Sequence, residues 1–365
     1  MRMKCKCFFA LFGVMCIGLL APLFSEGYQY DRNPQTNVQQ REITPAASPK
    51  IANGVNAFLI LDCFYWKAVQ EGTGFAAQGG IKNLNGGSSN VNRGGMQSIG
   101  TDWNWGFKVG GGINLNHNGW DLLAYYTWFR PESEKKVAEI EGTLILPLKF
   151  TNAFPEIFNQ CIAKTAQSTW NLRYNEINLE WGRNSHLSQF LTLRPFCGIK
   201  STWQDQTLKA SYTADGFILF PELIFYLGPY FMEEHFKVIG FGPRGGFDMK
   251  WYLSENFSFF GRLAGTALWV HYYKQSRKDI IRKNSSETTT VIDLIGNRND
   301  TKYVVESEFG ISWENWCYDD GYHLSAQLGW SSQIWFDWAH FFEPYCENWY
   351  NLSMGGLICK FRLDF

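Results

Sequence analysis

Apolar and polar residues alternate one for one along most of this chain. They do so in strand-length segments joined by connections that are short and long by turns. This rhythm constrains the fold more than any single motif. Trp103, Trp105, Phe107, Val109, Ile113 and Leu115 alternate with Asn104, Gly106, Lys108, Gly110, Gly112 and Asn114. A turn at His117-Asn118-Gly119 follows, and Asn-Gly is a strong hairpin signal. Trp120, Leu122, Ala124, Tyr126 and Trp128 then continue on one face. At the end of the chain, Leu357, Cys359, Phe361, Leu363 and Phe365 interleave with Lys360, Arg362 and Asp364. Further strands are read over 55–68, 169–183, 191–200, 238–253, 257–273, 303–316, 322–338 and 350–365.

The short connections fall at 117–119, 184–188, 254–256 and 318–321, the long ones over roughly 69–102, 131–167, 204–237, 274–302 and 339–349. Segments of about ten alternating residues with short turns at one end and long loops at the other are the repeat of a transmembrane β-barrel. The chain carries 16 Trp, 17 Tyr and 30 Phe yet is polar on average. That combination fits strands with one face in lipid and aromatic girdles at both interfaces. The fold class expected is therefore all-β: a transmembrane antiparallel up-and-down β-barrel of about 10–12 strands over 54–365. Residues 140–148 and 208–212 are the candidates for strands beyond ten. Both termini fall on the periplasmic side, and the last strand pairs with 55–68 to close the ring. Two irregularities stand out. Trp170, Leu172 and Tyr174 are out of phase with Ile177, Leu179 and Trp181, which suggests a bulge near Asn175. Pro195 removes a ladder donor. Residues 154–167 have helical spacing and are read as a lumen plug or a helix on the rim.

Ahead of the barrel, Arg2, Lys4 and Lys6 precede an apolar run over 8–23 and small or turn-forming residues at 25–27. Residues 1–27 read as a signal peptide and 28–53 as a flexible periplasmic segment. Nothing later approaches the run of ~20 apolar residues that a helical span needs. Cys5, Cys7 and Cys16 leave with the signal, and no Cys-x-x-Cys pair supports zinc. Cys63, Cys197 and Cys359 lie in strand patterns and read as small buried hydrophobes, whereas Cys317 and Cys346, at or near loops, are the disulfide candidates. With 33 Lys and Arg against 34 Asp and Glu, nothing favours nucleic acid.

Several segments in order are similar to one family. Asp62-Cys63-Phe64-Tyr65-Trp66-Lys67-Ala68 resembles the first-strand motif of the Legionella-type pore-forming major outer-membrane proteins, which have relatives in chlamydia-like bacteria. Leu193-Arg194-Pro195-Phe196-Cys197-Gly198-Ile199 with Trp203-Gln204-Asp205-Gln206 resembles a second motif, and Gly240-Phe241-Gly242-Pro243-Arg244-Gly245-Gly246 with Trp251-Tyr252-Leu253 a third. Gly310-Ile311-Ser312-Trp313, Gly329-Trp330-Ser331-Ser332-Gln333 and the stretch from Gly355 to Phe365 complete the set. Cys63 and Cys197 depart from it, standing where larger apolar residues are expected. The resemblance implies an outer-membrane pore and brings no catalytic residues.

The leading expectation is a porin for small polar solutes and ions. By alternation the pore-lining candidates are Lys108, Glu180, Arg194, Lys200, Arg244, Asp248, Lys250, Arg262, Glu306, Glu308, Gln327, Lys360 and Arg362. Basic members predominate, which suggests a mild anion preference. The alternative is a structural barrel or adhesin acting through its outer loops without an open pore, since narrow barrels are filled by side chains. An enzyme would need a His beside a carboxylate or Ser, and Asp337 with His340 is the one pair worth naming. No cofactor or metal is expected. The partners expected are outer-membrane lipid, small polar solutes, and the barrel assembly machinery, which would read Phe361, Leu363 and Phe365 as a terminal assembly signal. A homo-oligomer or disulfide-linked envelope proteins complete that set.

Overall fold

The computed structural model describes residues 47–49, 51, 56–79, 94–100, 102–115, 118–139, 144–149, 163–213, 217–220, 223–225, 229–282, 288–317, 321–342 and 348–365. Ten antiparallel strands carry the fold. They are β1 (Ala57–Gln70), β2 (Trp103–Asn114), β3 (Trp120–Phe129), β4 (Thr165–Arg183) and β5 (Leu191–Thr213), then β6 (Tyr230–Tyr252), β7 (Phe257–Arg282), β8 (Thr288–Cys317), β9 (Tyr322–His340) and β10 (Trp349–Asp364). Each pairs with the next in sequence, and β10 pairs with β1 in register from Phe58/Asp364 to Gln70/Leu352, so the sheet closes into a ring. Closure removes every edge strand, the condition for a sheet to sit in lipid. Short segments at Glu132–Ala138 and Ser185–His186 add to β4 and β5, and Ala76–Gly79, Gly94–Gln97 and Leu144–Pro147 form a small separate sheet.

The alternation sets the two faces of the wall. Leu328, Phe309, Phe241, Trp251, Leu363 and Phe361 point outward and are exposed, while Lys200, Arg244 and Glu180 on the opposite parity are buried inside. At the hairpin joining β2 to β3, Asn118 and Gly119 have φ of 52° and 74°. These are left-handed values, which Asn and Gly tolerate where a hairpin connection turns back on itself. Gly198, on the inner face of β5, is needed for another reason: a Cβ there would meet the Leu179 carbonyl of β4. Gly198→Ala should therefore lower the unfolding midpoint in detergent or vesicles, at a cost of about 1–3 kcal/mol from overpacking.

Several sequence expectations change. Ten strands form the ring, and neither extra candidate is a stave: residues 208–212 continue β5, and Leu144–Pro147 belongs to the separate sheet. Much of what reads as loop over 204–237 and 274–302 is strand, because β5 to β8 run far past the span of a bilayer. No bulge interrupts Asn175, for β4 keeps register with β3 and β5 through that point. The change of phase has a different cause. In the inner half of β4, apolar Ile177, Leu179 and Trp181 face outward. In the outer half, apolar Trp170, Leu172 and Tyr174 face inward. The wall keeps its direction while the polarity of its two faces exchanges. Bulges instead lie at Lys237/Val238, Tyr272/Gln275, Asp279/Ile280 and Trp335/Ala339. Pro195 sits within β5 opposite Phe247 without breaking register. The signal peptide, most of segment 28–53, the helical reading up to residue 162, and Cys346 fall outside the described residues.

The end of that N-terminal segment reaches the barrel. The Ala47 N–H donates to the Asn184 carbonyl at 3.2 Å and the Ser48 hydroxyl to the Gly119 carbonyl at 3.1 Å. Residues 47–49 thus lie across the short-turn mouth, and Ile51 is buried.

Candidate functional site

The lumen holds two stacked layers. The lower, nearer the short turns, is a lattice of charged side chains reaching from wall to wall. Alternation along each strand puts these residues inside, and the register places them at one level. Asp62 on β1, for example, is the direct partner of Lys108 on β2 and of Lys360 on β10.

Glu306 on β8 accepts two hydrogen bonds from Arg244 on β6, at 2.5 and 2.8 Å, and one from Lys200 on β5. Lys200 also pairs with Glu176 at 2.8 Å. Glu180 on β4 accepts from Arg194 at 3.3 Å, from Arg244 at 3.2 Å, from Arg262 of β7, and from the Tyr125 hydroxyl at 3.1 Å. Arg194 grips Asp121 of β3 with its Nε and Nη2 and reaches Asp248 at 2.8 Å. Glu308 receives Lys108 at 2.8 Å and Lys360 at 3.0 Å. The bonds from β2 to β8, β4 to β7 and β5 to β8 join strands that are far apart around the ring, so they cross the lumen. Arg244 is 1% and Lys200 0% exposed. Charges buried this deeply persist only when paired and hydrogen-bonded.

Asp62 is the exception. It is fully buried, among the described residues neither carboxylate oxygen accepts a hydrogen bond, and its ion pair to Lys108 is long, at 3.6 Å. Lys108 thus stands between two carboxylates, bonded to Glu308 and unbonded to Asp62. A small cavity of about 30 Å³ adjoins them.

Below the lattice, at the short-turn mouth, lies a cavity of about 140 Å³, edged by Arg194, Lys250, Arg262 and Arg362 and touched by Ala47 and Pro49. At its rim Glu314 pairs with Lys250, while Asp364 receives His323 at 3.0 Å and Arg362 at 2.6 Å. Above the lattice is an aromatic layer. Trp335 and Trp338 stack edge to face at 4.6 Å between centroids, Tyr174 meets Trp335 at 5.8 Å, and Trp66 meets Phe129 at 5.7 Å. The Trp338 and Trp170 indoles donate to Gln204 at 2.8 Å and Gln206 at 3.1 Å. The Lys200 ammonium lies 5.4 Å from the Trp335 ring, so the layers touch. Farther out, Arg277 bonds Glu234 at 3.1 Å and Asp279 at 3.0 Å. Burial there pushes the Glu234 carboxyl above the ordinary glutamate range, against the pull of Arg277.

Every residue expected inside by alternation lies inside the barrel, Gln327 and Lys250 among them. The sequence reading placed Asp364 on the inward face with Lys360 and Arg362, but missed the other acids that pair with them: Asp62, Asp121, Glu176 and Glu314. The same period-two parity could have found them, since each shares a face with a residue already singled out or an adjacent inward aromatic. Asp337 and His340 do not form a dyad. The Asp337 N–H donates to Asn351 at 2.9 Å, and the His340 ring meets Gln275 at 3.1 Å. Cys317 is a free thiol at the end of β8.

The sequence pattern of one family, described as Legionella pneumophila major outer membrane protein precursor, matches residues 57–365. The chain belongs to this family. It is an outer-membrane β-barrel, and the short turns are accordingly its periplasmic end. No curated protein matches it. Among solved structures it is similar to the outer membrane protease OmpT from Escherichia coli, at 10% identity over 87% of this chain and 99% of that one, with a TM-score of 0.36. It is also similar to the Pseudomonas putida toluene transporter TodX, at 8% identity over 87% and 92%, TM-score 0.30. The outer membrane protein OprG from Pseudomonas aeruginosa matches at 10% identity over 85% and 99%, TM-score 0.26.

Proposed function

We propose that this family member is a pore for small ions and polar solutes, held shut by its ion-pair lattice until a pair exchanges partners, and that it performs no chemistry of its own. The observation that carries the reading is the position of Lys108, 2.8 Å from Glu308 and 3.6 Å from the unbonded Asp62. Moving the ammonium to Asp62 would release one cross-lumen strut and satisfy a buried carboxylate in the same step. A wall-to-wall ionic lattice is also an expensive way to fill a barrel, because apolar packing of the same volume is often neutral or better for stability. A pore has use for a polar interior. The basic excess that suggested an anion preference is cancelled by Asp62, Asp121, Glu176, Glu314 and Asp364, so the selectivity expected is weak in either direction. In the same reading the chain is exported by its N-terminal signal, and the assembly machinery reads Phe361, Leu363 and Phe365.

One observation favours the second reading, a structural barrel without an open path. Trp335, Trp338 and Tyr174 are fully buried over the lattice and in ring contact with one another. Reconstitution into planar bilayers and sugar-loaded vesicles separates the two. A pore gives small, flickering conductance steps that lengthen in Lys108→Gln, together with slow swelling in the smallest sugars. Silence in both assays, for wild type and variant alike, would leave the structural barrel.

A further inference from the structure

The seam of the barrel brings two cysteines together. Cys63 on β1 and Cys359 on β10 are direct register partners. Both lie on the outward parity and are free thiols in this structure, Cys63 exposed and Cys359 half-buried, with Leu61, Leu357 and Phe361 around them. The hydrogen-bonding parity of the pair follows from the strand ends. Ala57 and Phe365 exchange both of their N–H···O bonds, at 3.1 and 2.9 Å. The register then runs without a shift to Gln70/Leu352, and at the far end the Glu71 N–H donates to Asn351 at 3.0 Å. Every second pair counted from Ala57/Phe365 is hydrogen-bonded, and Cys63/Cys359 is one of them. The Cα atoms of such a pair lie about 5.5 Å apart, inside the range a disulfide spans. Their Cβ atoms lie toward the wide end of cross-strand spacing, about 5.5 Å against the 3.5–4.5 Å of a relaxed disulfide. A bridge here draws the strands together locally and is correspondingly reducible.

The position gives the pair its meaning. β1–β10 is the one ring pairing between strands distant in sequence; all the others join consecutive strands. If the ring opens, the seam is where closing it again requires a loop of nearly the whole chain.

We propose that Cys63 and Cys359 form a disulfide that staples the first strand to the last. The oxidant is a protein disulfide of the envelope, acting in water before the seam turns to lipid. One cysteine thiolate attacks that disulfide and displaces one of its sulfurs as a thiolate, giving a mixed disulfide. The second cysteine's thiolate then attacks the mixed disulfide and releases the other sulfur of the oxidant. Two S–H bonds are lost and one S–S bond forms. The two electrons reduce the oxidant to a dithiol, which takes up the two protons.

Outer membranes are quenched in acid, alkylated with N-ethylmaleimide, digested and read by mass spectrometry with and without dithiothreitol. A peptide joining Cys63 to Cys359, lost on reduction, is the expected result. Both cysteines alkylated, or either one joined to a different cysteine or a second chain, overturns the proposal. The second measurement uses stability. Reduction should lower the temperature at which the wild-type barrel loses its compact electrophoretic mobility, and should leave Cys63→Ser and Cys359→Ser unmoved. A reduction effect equal in all three would also overturn it. Neither measurement depends on whether the lumen conducts.

Discussion

Arg244→Ala should lower barrel stability by about 3–5 kcal/mol, the range found when one partner of a buried ion pair is removed. Arg244 bonds both Glu180 and Glu306, and it stands 3.2 Å from the Tyr125 hydroxyl on the far wall. Its removal leaves two buried carboxylates short of a donor in a space that little water enters. The control is Lys209→Ala. Lys209 pairs with Glu233 at 3.1 Å, but both side chains are more than half exposed. Screening and side-chain entropy leave such a pair with at most about 1 kcal/mol. Denaturant unfolding in lipid vesicles, followed by tryptophan fluorescence, compares the two. Equal shifts for both variants would mean that the lattice is hydrated and contributes no more than a surface pair.

The second large effect belongs to the opposite face of the wall. Leu328 is 64% exposed on β9 beside Cys359 of β10 and Ile311 of β8, midway along the spanning part of the strand. Leu328→Arg should cost about 2–4 kcal/mol, while Tyr322→Arg, at the periplasmic end of the same strand, should cost about 0–1 kcal/mol. The gradient between them maps the depth of the bilayer along β9. A flat response, measured as unfolding in vesicles, would place Leu328 outside the hydrocarbon.

Much of this was legible beforehand. Strict alternation assigned Lys108, Arg244, Glu306 and Lys360 to the inside without knowledge of any neighbour, because a strand has only two faces. The short turns fixed the strand order for the same local reason. What escaped was relational. Glu176 and Asp121 are unremarkable in sequence and take on a role only through Lys200 on the next strand and Arg194 two strands away. Cys63 and Cys359 are separated by almost the whole barrel and meet only once the ring closes. The apparent bulge at Asn175 came from assuming a single polarity for the lumen along its whole length. The aromatic interior over Trp170, Leu172 and Tyr174 breaks that assumption, since above the lipid the apolar side chains turn inward as in any water-soluble barrel.

That exchange of faces has a consequence at the cell surface. From Lys274 to Arg282, β7 continues beyond the apolar belt with its partners β6 and β8 still hydrogen-bonded to it. At about 3.3 Å per residue and a tilt near 40°, this stretch rises on the order of 20 Å above the lipid. The wall up there has a packed interior and a wettable exterior, so it stands as a self-supporting collar. A molecule that binds this rim would therefore be held well above the plane of the membrane.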